Sequence, residues 1–188
     1  MKTSDTIVQL FKTRGDSEYG GEAVTQLEHA LQCAALAAEV NEKPSLIVAA
    51  LLHDIGHLLH DLPDDAPEQG VDDHHENSGN RFLQLHFNAD VCEPVKLHVA
   101  AKRYLCAVDS EYEPRLSRPS LISLQLQGGR MSAEEVHAFE GNPYYRDAVT
   151  LRKWDDQGKI QNLEVPGIES YVPLIEQLAN EKLQAANT

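Results

Sequence analysis

The chain has 188 residues, the length of one ordinary domain, and its apolar residues (41%) include no run of about eighteen, the minimum for a bilayer span. Its formal net charge of −14 repels polyanions, so nucleic acid, like a membrane, is excluded as an expected partner. A small anionic substrate would need positive charge supplied locally by metal ions and inward-pointing basic residues.

The first residues carry no export signal, and the three cysteines have no paired spacing. We therefore expect buried thiols in the reducing cytoplasm. Residues 1–188 are predicted to form a single domain, present as a monomer or a small homo-oligomer.

Apolar side chains recur at spacings of three and four residues, whereas alternating strand-like runs are almost absent. This pattern predicts an all-α bundle. Residues 61–73, with two prolines and five aspartates, are predicted to be a solvated loop. The helices are expected at 5–12, 22–40, 45–60, 75–86, 89–105, 117–126, 133–140, 143–156 and 167–181.

Three helix starts carry a local signal. Pro44 suits a first turn because its missing N–H has no partner there in any case. Ser132 and Glu135 have the spacing of a capping box, in which each side chain accepts the other's backbone N–H. Asn142 followed by Pro143 is typical of an N-cap and a first helical residue.

The most informative motif is His53-Asp54, which follows the apolar residues 46–52 on a predicted buried helix. An unpaired carboxylate is unfavourable there, so either a bound cation or a His–Asp hydrogen bond must compensate its charge. The two side chains lie about 100° apart on a helix, so they can share one ion, or Asp54 can bridge two. Gly56 weakens a helix by about 1 kcal/mol relative to alanine, which indicates a close approach to its backbone.

Further histidines on separate predicted helices, His29, His75 and His98, favour a metal site inside the bundle over an isolated hydrogen bond. Imidazole and carboxylate ligands suit iron, manganese and zinc alike. The other histidines are interpreted as ordinary core or surface residues; they are His60, His74, His86 and His137.

In their order and context these residues resemble the HD-domain superfamily, and within it the mixed-valent diiron oxygenases. This branch includes the phosphonate oxygenases that cleave a carbon–phosphorus bond and, more distantly, myo-inositol oxygenase. The resemblance implies an HD-domain helical bundle with a dinuclear metal site in its core. The motifs that carry it are Tyr19-x-Gly-Glu22, Gln26-Leu-Glu-His29, residues 49–57, residues 98–105, Gln127-Gly-Gly and Trp154-Asp155.

The resemblance implies two iron ions, Fe(II) and Fe(III), with O2 as co-substrate. One iron is expected to have four protein ligands, with Asp54 bridging to a second iron that keeps open positions. The ligands of the first are His29, His53, Asp54 and Asp155, and those of the second are Asp54, His75 and His98.

The resemblance also implies substrate contacts. Tyr19 is expected to occupy an open iron position until substrate displaces it, and Glu22 to face the substrate's amino group. For Lys102 and Arg152 the alternative is a solvated surface charge. The set expected to bind the phosphonate is Lys102, Arg152, Ser120, Gln127 and His57.

The function implied is O2-dependent cleavage of a 1-hydroxy-2-ammonioethylphosphonate, as the primary amine or N-trimethylated. The products would be phosphate and glycine or glycine betaine. Two alternatives stay open at this point: an HD-domain metal-dependent phosphohydrolase acting on a nucleotide or phosphate ester, which needs no O2, and a non-catalytic ligand sensor on the same fold.

Overall fold

A computed structural model describes residues 2–63 and 69–186 of the protein. Within these ranges the chain is helical, with one isolated bridge (Glu18 and Thr25) in place of any strand, as the apolar spacing predicted. None of these helices is both long and apolar enough to cross a bilayer. The helices are α1 (Thr3–Arg14), α2 (Gln26–Glu39), α3 (Pro44–Leu52), α4 (His75–Leu83), α5 (Ala89–Val108), α6 (Arg118–Leu126), α7 (Ala133–Glu140), α8 (Tyr145–Gln157) and α9 (Val172–Ala186), with 3-10 segments at Ile55–Leu59, Glu113–Arg115 and Ile168–Tyr171.

Helix α3 is the centre of the bundle and is buried on every side. It packs against α2, α5, α8 and α9, and each residue from Leu46 to Leu52 is at most 8% exposed. Burying one leucine or isoleucine side chain contributes about 1.5–3 kcal/mol. The apolar run seen in the sequence is therefore the core itself, and the residues that follow it emerge in the middle of the protein.

The prediction of one helix over 45–60 is wrong, because α3 ends at Leu52. Asp54 leaves the helical conformation (φ −102°, ψ 12°), and a 3-10 turn follows it. The expected close approach at Gly56 is confirmed: a Cβ there would lie 2.0 Å from the carbonyl oxygen of His75. This break presses the residues after α3 directly against the start of α4.

The prediction of a helix from residue 22 is also wrong, since α2 begins at Gln26. Thr25 caps it, and the Glu28 side chain accepts the Thr25 N–H at 2.8 Å. Before the cap, Gly20 and Gly21 have positive φ values of 47° and 80°, which only glycine adopts readily. The resulting loop places residues 19–22 beside the bundle interior.

Other helix starts follow their local signals to different extents. Pro44 opens α3 and Ser132 with Glu135 caps α7, as predicted. Helix α8, however, begins at Tyr145 rather than at 143, because the Asn142 side chain accepts the N–H of Tyr144 in a turn that precedes the helix. The predicted loop 61–73 is non-helical where it is described, and its residues 64–68 lie outside the described ranges.

Candidate metal centre

Four imidazoles meet at the centre of the bundle in two pairs. His29 Nε2 lies 3.2 Å from His53 Nε2, and His75 Nε2 lies 3.1 Å from His98 Nε2. All four side chains are buried. They come from α2, from the residue after α3, from the first residue of α4 and from α5, so the tertiary fold alone brings them together.

The other ring nitrogen of each histidine fixes which atom carries the proton. Each Nδ1 lies against an oxygen that only accepts, so Nδ1 holds the hydrogen and Nε2 of the neutral ring presents a lone pair. Lone pairs about 3 Å apart repel each other unless a proton or a metal cation lies between them. The acceptors are the carbonyls of Gly158 (2.8 Å from His29), Ala50 (2.9 Å from His53) and Val95 (2.6 Å from His98), and the carboxylate of Asp73 (2.8 Å from His75).

Asp54 lies between the two pairs. Its Oδ2 is 3.2 Å from His53 Nε2 and 3.6 Å from His29 Nε2. Its Oδ1 is 3.4 Å from His75 Nε2 and 3.3 Å from His98 Nε2, yet it is buried and has no hydrogen bond. A buried carboxylate oxygen without a hydrogen bond is the kind of ligand atom expected where a metal ion binds. One oxygen for each pair is the arrangement that a bridging carboxylate requires.

Asp155, on α8, adds a second carboxylate to the His29 and His53 pair. Its oxygens lie 3.6 Å from His29 Nε2 and 3.9 Å from His53 Nε2. Burial alone raises its pKa, but the Arg152 guanidinium, 2.7 Å away, more than offsets this and holds the pKa below its ordinary range. The carboxylate is therefore ionised at neutral pH, as a metal ligand must be.

Tyr19 covers this first pair of histidines. Its ring stacks on His29 with centroids 3.8 Å apart, and its hydroxyl donates to Asp155 Oδ1 at 3.3 Å. Burial, followed by the negative charge of Asp155, raises the pKa of the phenol well above its ordinary value. The hydroxyl therefore remains protonated while it caps the carboxylate.

The protonation of the cluster shows that it attracts positive charge. Burial, together with the neighbouring His53, lowers the pKa of His29 to about 4, so this ring is neutral at pH 7. Burial also lowers the pKa of His75, but the hydrogen bond to Asp73 and the charge of Asp54 prevail and raise it to about 9. The ionised Asp73 and Asp54 carboxylates thus keep a proton on His75, where a metal ion would otherwise balance their charge. The donor set fits two cations, one for each histidine pair.

A cavity of about 290 Å³ opens beside the cluster and is lined by Asp54, His75, His98 and Asp155 on its inner wall. Lys102 points into it from α5, four residues after His98, and is 3% exposed. Its ammonium donates to Ser123 Oγ at 2.7 Å. Burial, and then the nearby Arg152, lowers the pKa of Lys102 to about 7. The charged form of a buried amine of this kind is stabilised when an anion binds beside it.

Two further residues of the expected phosphonate set line the same cavity. Ser120, in the first turn of α6, accepts from Lys159 Nζ at 3.2 Å, and its Oγ lies 3.1 Å from Ser117 Oγ. The Gln127 amide follows α6, and its Oε1 is buried without a hydrogen bond. The amide can rotate to present either end, so it can donate to a ligand oxygen.

Arg152 also lines the cavity, but the protein already uses its guanidinium. Besides Asp155, it donates to Asp156 and, from Nε at 3.0 Å, to the hydroxyl of Tyr112. The arginine is buried, not a solvated surface charge. Its immediate effect is to hold the Asp155 carboxylate in place.

Glu22 reaches the cavity from the loop before α2 and is already paired. Its Oε1 accepts from Lys159 Nζ at 3.1 Å and from Ser117 Oγ at 2.5 Å. Lys159 also lies 5.5 Å from the centroid of the Tyr19 ring. A substrate ammonium that binds Glu22 must therefore compete with this lysine.

His57 lines the cavity beside His75, with ring centroids 4.0 Å apart in a stacked arrangement. Its Nδ1 lies 2.6 Å from Asp73 Oδ2, and His60 Nε2 lies 2.9 Å from the same oxygen. Asp73 thus contacts three histidines, although sequence patterns did not indicate it. The only available signal was its position two residues before His75 at the end of an acidic loop.

Lys159 and Tyr112 also went unrecognised in the sequence. Lys159 lies just after α8 and Tyr112 between α5 and α6, outside any periodic segment. Each is positioned by tertiary contacts with Glu22 or Arg152 rather than by a motif.

Residues 27–127 match the profile of the family described as HD domain. The chain belongs to the HD-domain family. Two relatives of this HD-domain protein are similar along most of its length. A [1-hydroxy-2-(trimethylamino)ethyl]phosphonate dioxygenase (glycine-betaine-forming) of Leisingera caerulea is 41% identical over 176 residues, which cover 94% of this chain and 90% of the relative.

A hydroxymethylphosphonate dioxygenase of Gimesia maris is 46% identical over 167 residues, which cover 88% of this chain and 83% of the relative. The resemblance to the phosphonate oxygenases that the motifs indicated is thus confirmed. The more distant likeness to myo-inositol oxygenase stays a prediction.

Proposed function

We propose that this HD-domain protein is a diiron oxygenase that uses O2 to cleave the carbon–phosphorus bond of a 1-hydroxyphosphonate. The observation that carries the proposal is Asp54, whose two oxygens each face one pair of imidazole lone pairs beside a cavity that contains a buried lysine. The relatives, both named as dioxygenases of hydroxyphosphonates, support an oxygenase rather than a phosphohydrolase.

The first ion would be held by one histidine pair and two carboxylates, and the second by the other pair and the shared Asp54. We propose iron for both positions, in the Fe(II) and Fe(III) states. When bound, the ions would transfer electrons from the substrate to O2 and supply the oxidising power toward the hydroxyl-bearing carbon. The ligands are His29, His53, Asp54 and Asp155 for the first ion and Asp54, His75 and His98 for the second.

The overall reaction consumes one O2 for each phosphonate. R–CH(OH)–PO3²⁻ and O2 give R–COO⁻, HPO4²⁻ and H⁺, so the C–P bond is lost and the carbon is oxidised to a carboxylate. For the 1-hydroxy-2-ammonioethylphosphonates, as the primary amine or N-trimethylated, the products are glycine or glycine betaine. Hydroxymethylphosphonate, the substrate in the name of the Gimesia maris relative, shares the reacting group but has no amine.

The protein's own groups bind and orient the substrate. The Lys102 ammonium and the Gln127 amide would donate to phosphonate oxygens, and binding of that dianion would keep Lys102 protonated at neutral pH. Ser120 and His57 line the same cavity and complete the phosphonate contacts. Such contacts hold the reacting carbon in one orientation and exclude water from it.

Arg152 keeps Asp155 ionised from behind, while Tyr19 shields the first histidine pair from solvent until a ligand enters. Once Lys159 has released it, the Glu22 carboxylate would form an ion pair with the ammonium of an amine-bearing substrate. The protein thus presents positive charge at the phosphonate end of the cavity and a negative charge at the amine end.

An oxygen-dependence assay tests the proposal. Iron-loaded protein is mixed with each of the three phosphonates, with and without O2, and phosphate release and O2 consumption are measured. We expect equal amounts of phosphate and consumed O2 for at least one substrate and no phosphate without O2. Phosphate release that continues under anaerobic conditions would identify a hydrolase instead.

A further inference from the structure

Asp73 is the last residue of loop 61–73 before the exposed His74, and its carboxylate is surrounded by nitrogen donors. Its Oδ1 accepts from His75 Nδ1 at 2.8 Å and from the His75 backbone N–H at 3.2 Å. Its Oδ2 lies 2.6 Å from His57 Nδ1 and 2.9 Å from His60 Nε2. The side chain is only 12% exposed, so these contacts are made largely out of solvent.

His75 differs from the other three imidazoles of the cluster in this respect. Those three donate their Nδ1–H to backbone carbonyls, whereas His75 donates to a side chain. A carboxylate partner fixes the tautomer and the ring orientation and makes the opposite nitrogen a stronger donor toward a metal. His75 is therefore the one imidazole of the four whose orientation a single side-chain substitution can release.

The same carboxylate fixes the ring that stacks on His75. With its Nδ1 held by Asp73, His57 lies parallel to His75 at a centroid distance of 4.0 Å and borders the cavity. His60 contacts Asp73 from the outer side and is a quarter exposed. One carboxylate thus couples the orientation of the second histidine pair to that of a cavity-lining histidine.

We infer that Asp73 is a positioning residue that orients His75 for the second metal ion and His57 for the substrate. This inference rests on the dinuclear centre proposed above. It gives the end of this loop a role, since Asp73 supports the second ion from outside the helices. The first ion, whose histidines rest on backbone carbonyls, does not depend on Asp73.

Iron binding to the variants Asp73→Asn and Asp73→Ala tests the inference without any turnover. Metal-free protein is titrated with Fe(II) under anaerobic conditions, and bound and free iron are separated by equilibrium dialysis. The asparagine keeps the volume of the side chain and removes its charge, so it remains informative if the alanine variant does not fold. We expect two ions in the wild type, with the affinity of the second about 10–100-fold weaker in the variants and that of the first unchanged.

Asp72→Asn is the matched control, because it removes the same charge from the neighbouring residue. The Asp72 carboxylate pairs with His74, whose side chain is 67% exposed and lies outside the cluster. We expect this variant to bind both ions as the wild type does. A general loss of stability would weaken the binding of both ions. A loss of affinity that is confined to the second ion therefore distinguishes positioning from poor folding.

The outcomes separate this inference from the proposal on which it rests. A wild-type protein that takes up two ions, with Asp73→Asn and Asp73→Ala binding the second ion within twofold of it, overturns the role of Asp73 alone. Equal losses in Asp72→Asn and Asp73→Asn overturn it as well. A wild type that takes up a single ion rejects the dinuclear centre, and the role of Asp73 with it.

Discussion

The backbone of Gly56 packs directly on the carbonyl group of His75, so the turn after α3 and the start of α4 form one unit. A Cβ at position 56 would lie 2.0 Å from that oxygen, a distance that real Cβ atoms do not show. The contact holds the His53 and Asp54 segment at a fixed distance from the second histidine pair.

We therefore expect Gly56→Ala to separate α4 from α3 and to disturb the second pair. The substitution should lower the free energy of unfolding by about 1–3 kcal/mol, the usual cost of overpacking. It should also weaken the binding of the second metal ion. Gly141→Ala is the control, since Gly141 has an ordinary helical φ of −71° and a Cβ there would lie 3.3 Å from its nearest neighbour, the carbonyl oxygen of Ala138. Denaturant unfolding and iron titration measure both effects; equal stability of the two variants would contradict the expectation.

Metal addition should stabilise the protein through Asp54. At a free Fe(II) concentration about 100 times Kd, binding adds about 2.7 kcal/mol and raises Tm by about 5–10 °C for a chain of this length. Asp54→Asn removes the charge that both histidine pairs share and should abolish the shift. The control is Asp147→Asn, which changes a carboxylate of α8 that pairs with Lys43 at the surface. This variant should retain the shift in Tm. Thermal melts with and without Fe(II) decide the matter; a full shift in Asp54→Asn would show that the aspartate does not bind metal.

Lys102→Met should reduce phosphonate binding and yet stabilise the metal-free protein at low pH. Burial lowers the pKa of Lys102 from 10.5 to about 7, so below pH 7 the folded state contains a buried charge that the unfolded chain leaves in water. Between pH 7 and 10.5 the unfolded state binds more protons than the folded state, and stability rises with pH until the penalty disappears.

The stability advantage of Lys102→Met over the wild type should therefore be largest near pH 6 and vanish toward pH 10.5. Urea unfolding of the metal-free proteins across this range measures it. An advantage that stays constant with pH would mean that packing, and not the charge of Lys102, sets the difference.

Glu22→Gln tests the amine end of the cavity. If Glu22 exchanges Lys159 for the substrate ammonium, the variant should lose affinity for 1-hydroxy-2-ammonioethylphosphonate by about 1–3 kcal/mol, roughly fivefold to 150-fold. Hydroxymethylphosphonate lacks the ammonium and is the matched control ligand. Calorimetric titration gives the ratio of variant to wild-type Kd for each ligand. Equal ratios for the two ligands would show that Glu22 does not recognise the amine.

The helices and the His53 and Asp54 pair could be predicted from the sequence because both depend on local patterns, whereas the meeting of the four histidines depends on the tertiary fold. Apolar periodicity identifies α3, and an HD pair after a buried helix requires a cation or a hydrogen bond wherever the chain goes next. The start of α2 could not be predicted in the same way, because the bridge between Glu18 and Thr25 holds residues 22–25 in a non-helical turn although their pattern is helical.

Asp73 and Lys159 could not be predicted for a different reason. Each is a charged residue in a polar segment, where the sequence alone favours solvent exposure. Their contacts with His57 and Glu22 come from elements distant along the chain. Only the folded arrangement distinguishes Asp73 from its neighbour Asp72.

The residues that surround Asp54 are contributed by α2, α4, α5 and α8, and α8 is synthesised only after most of the chain has left the ribosome. An incomplete nascent chain that ends before Asp155 lacks one of the two carboxylates that face the His29 and His53 pair. Under the dinuclear centre proposed above, stable uptake of both ions therefore has to wait until the chain has been synthesised through Asp155, and the cavity that Lys102 lines gives access to their ligands.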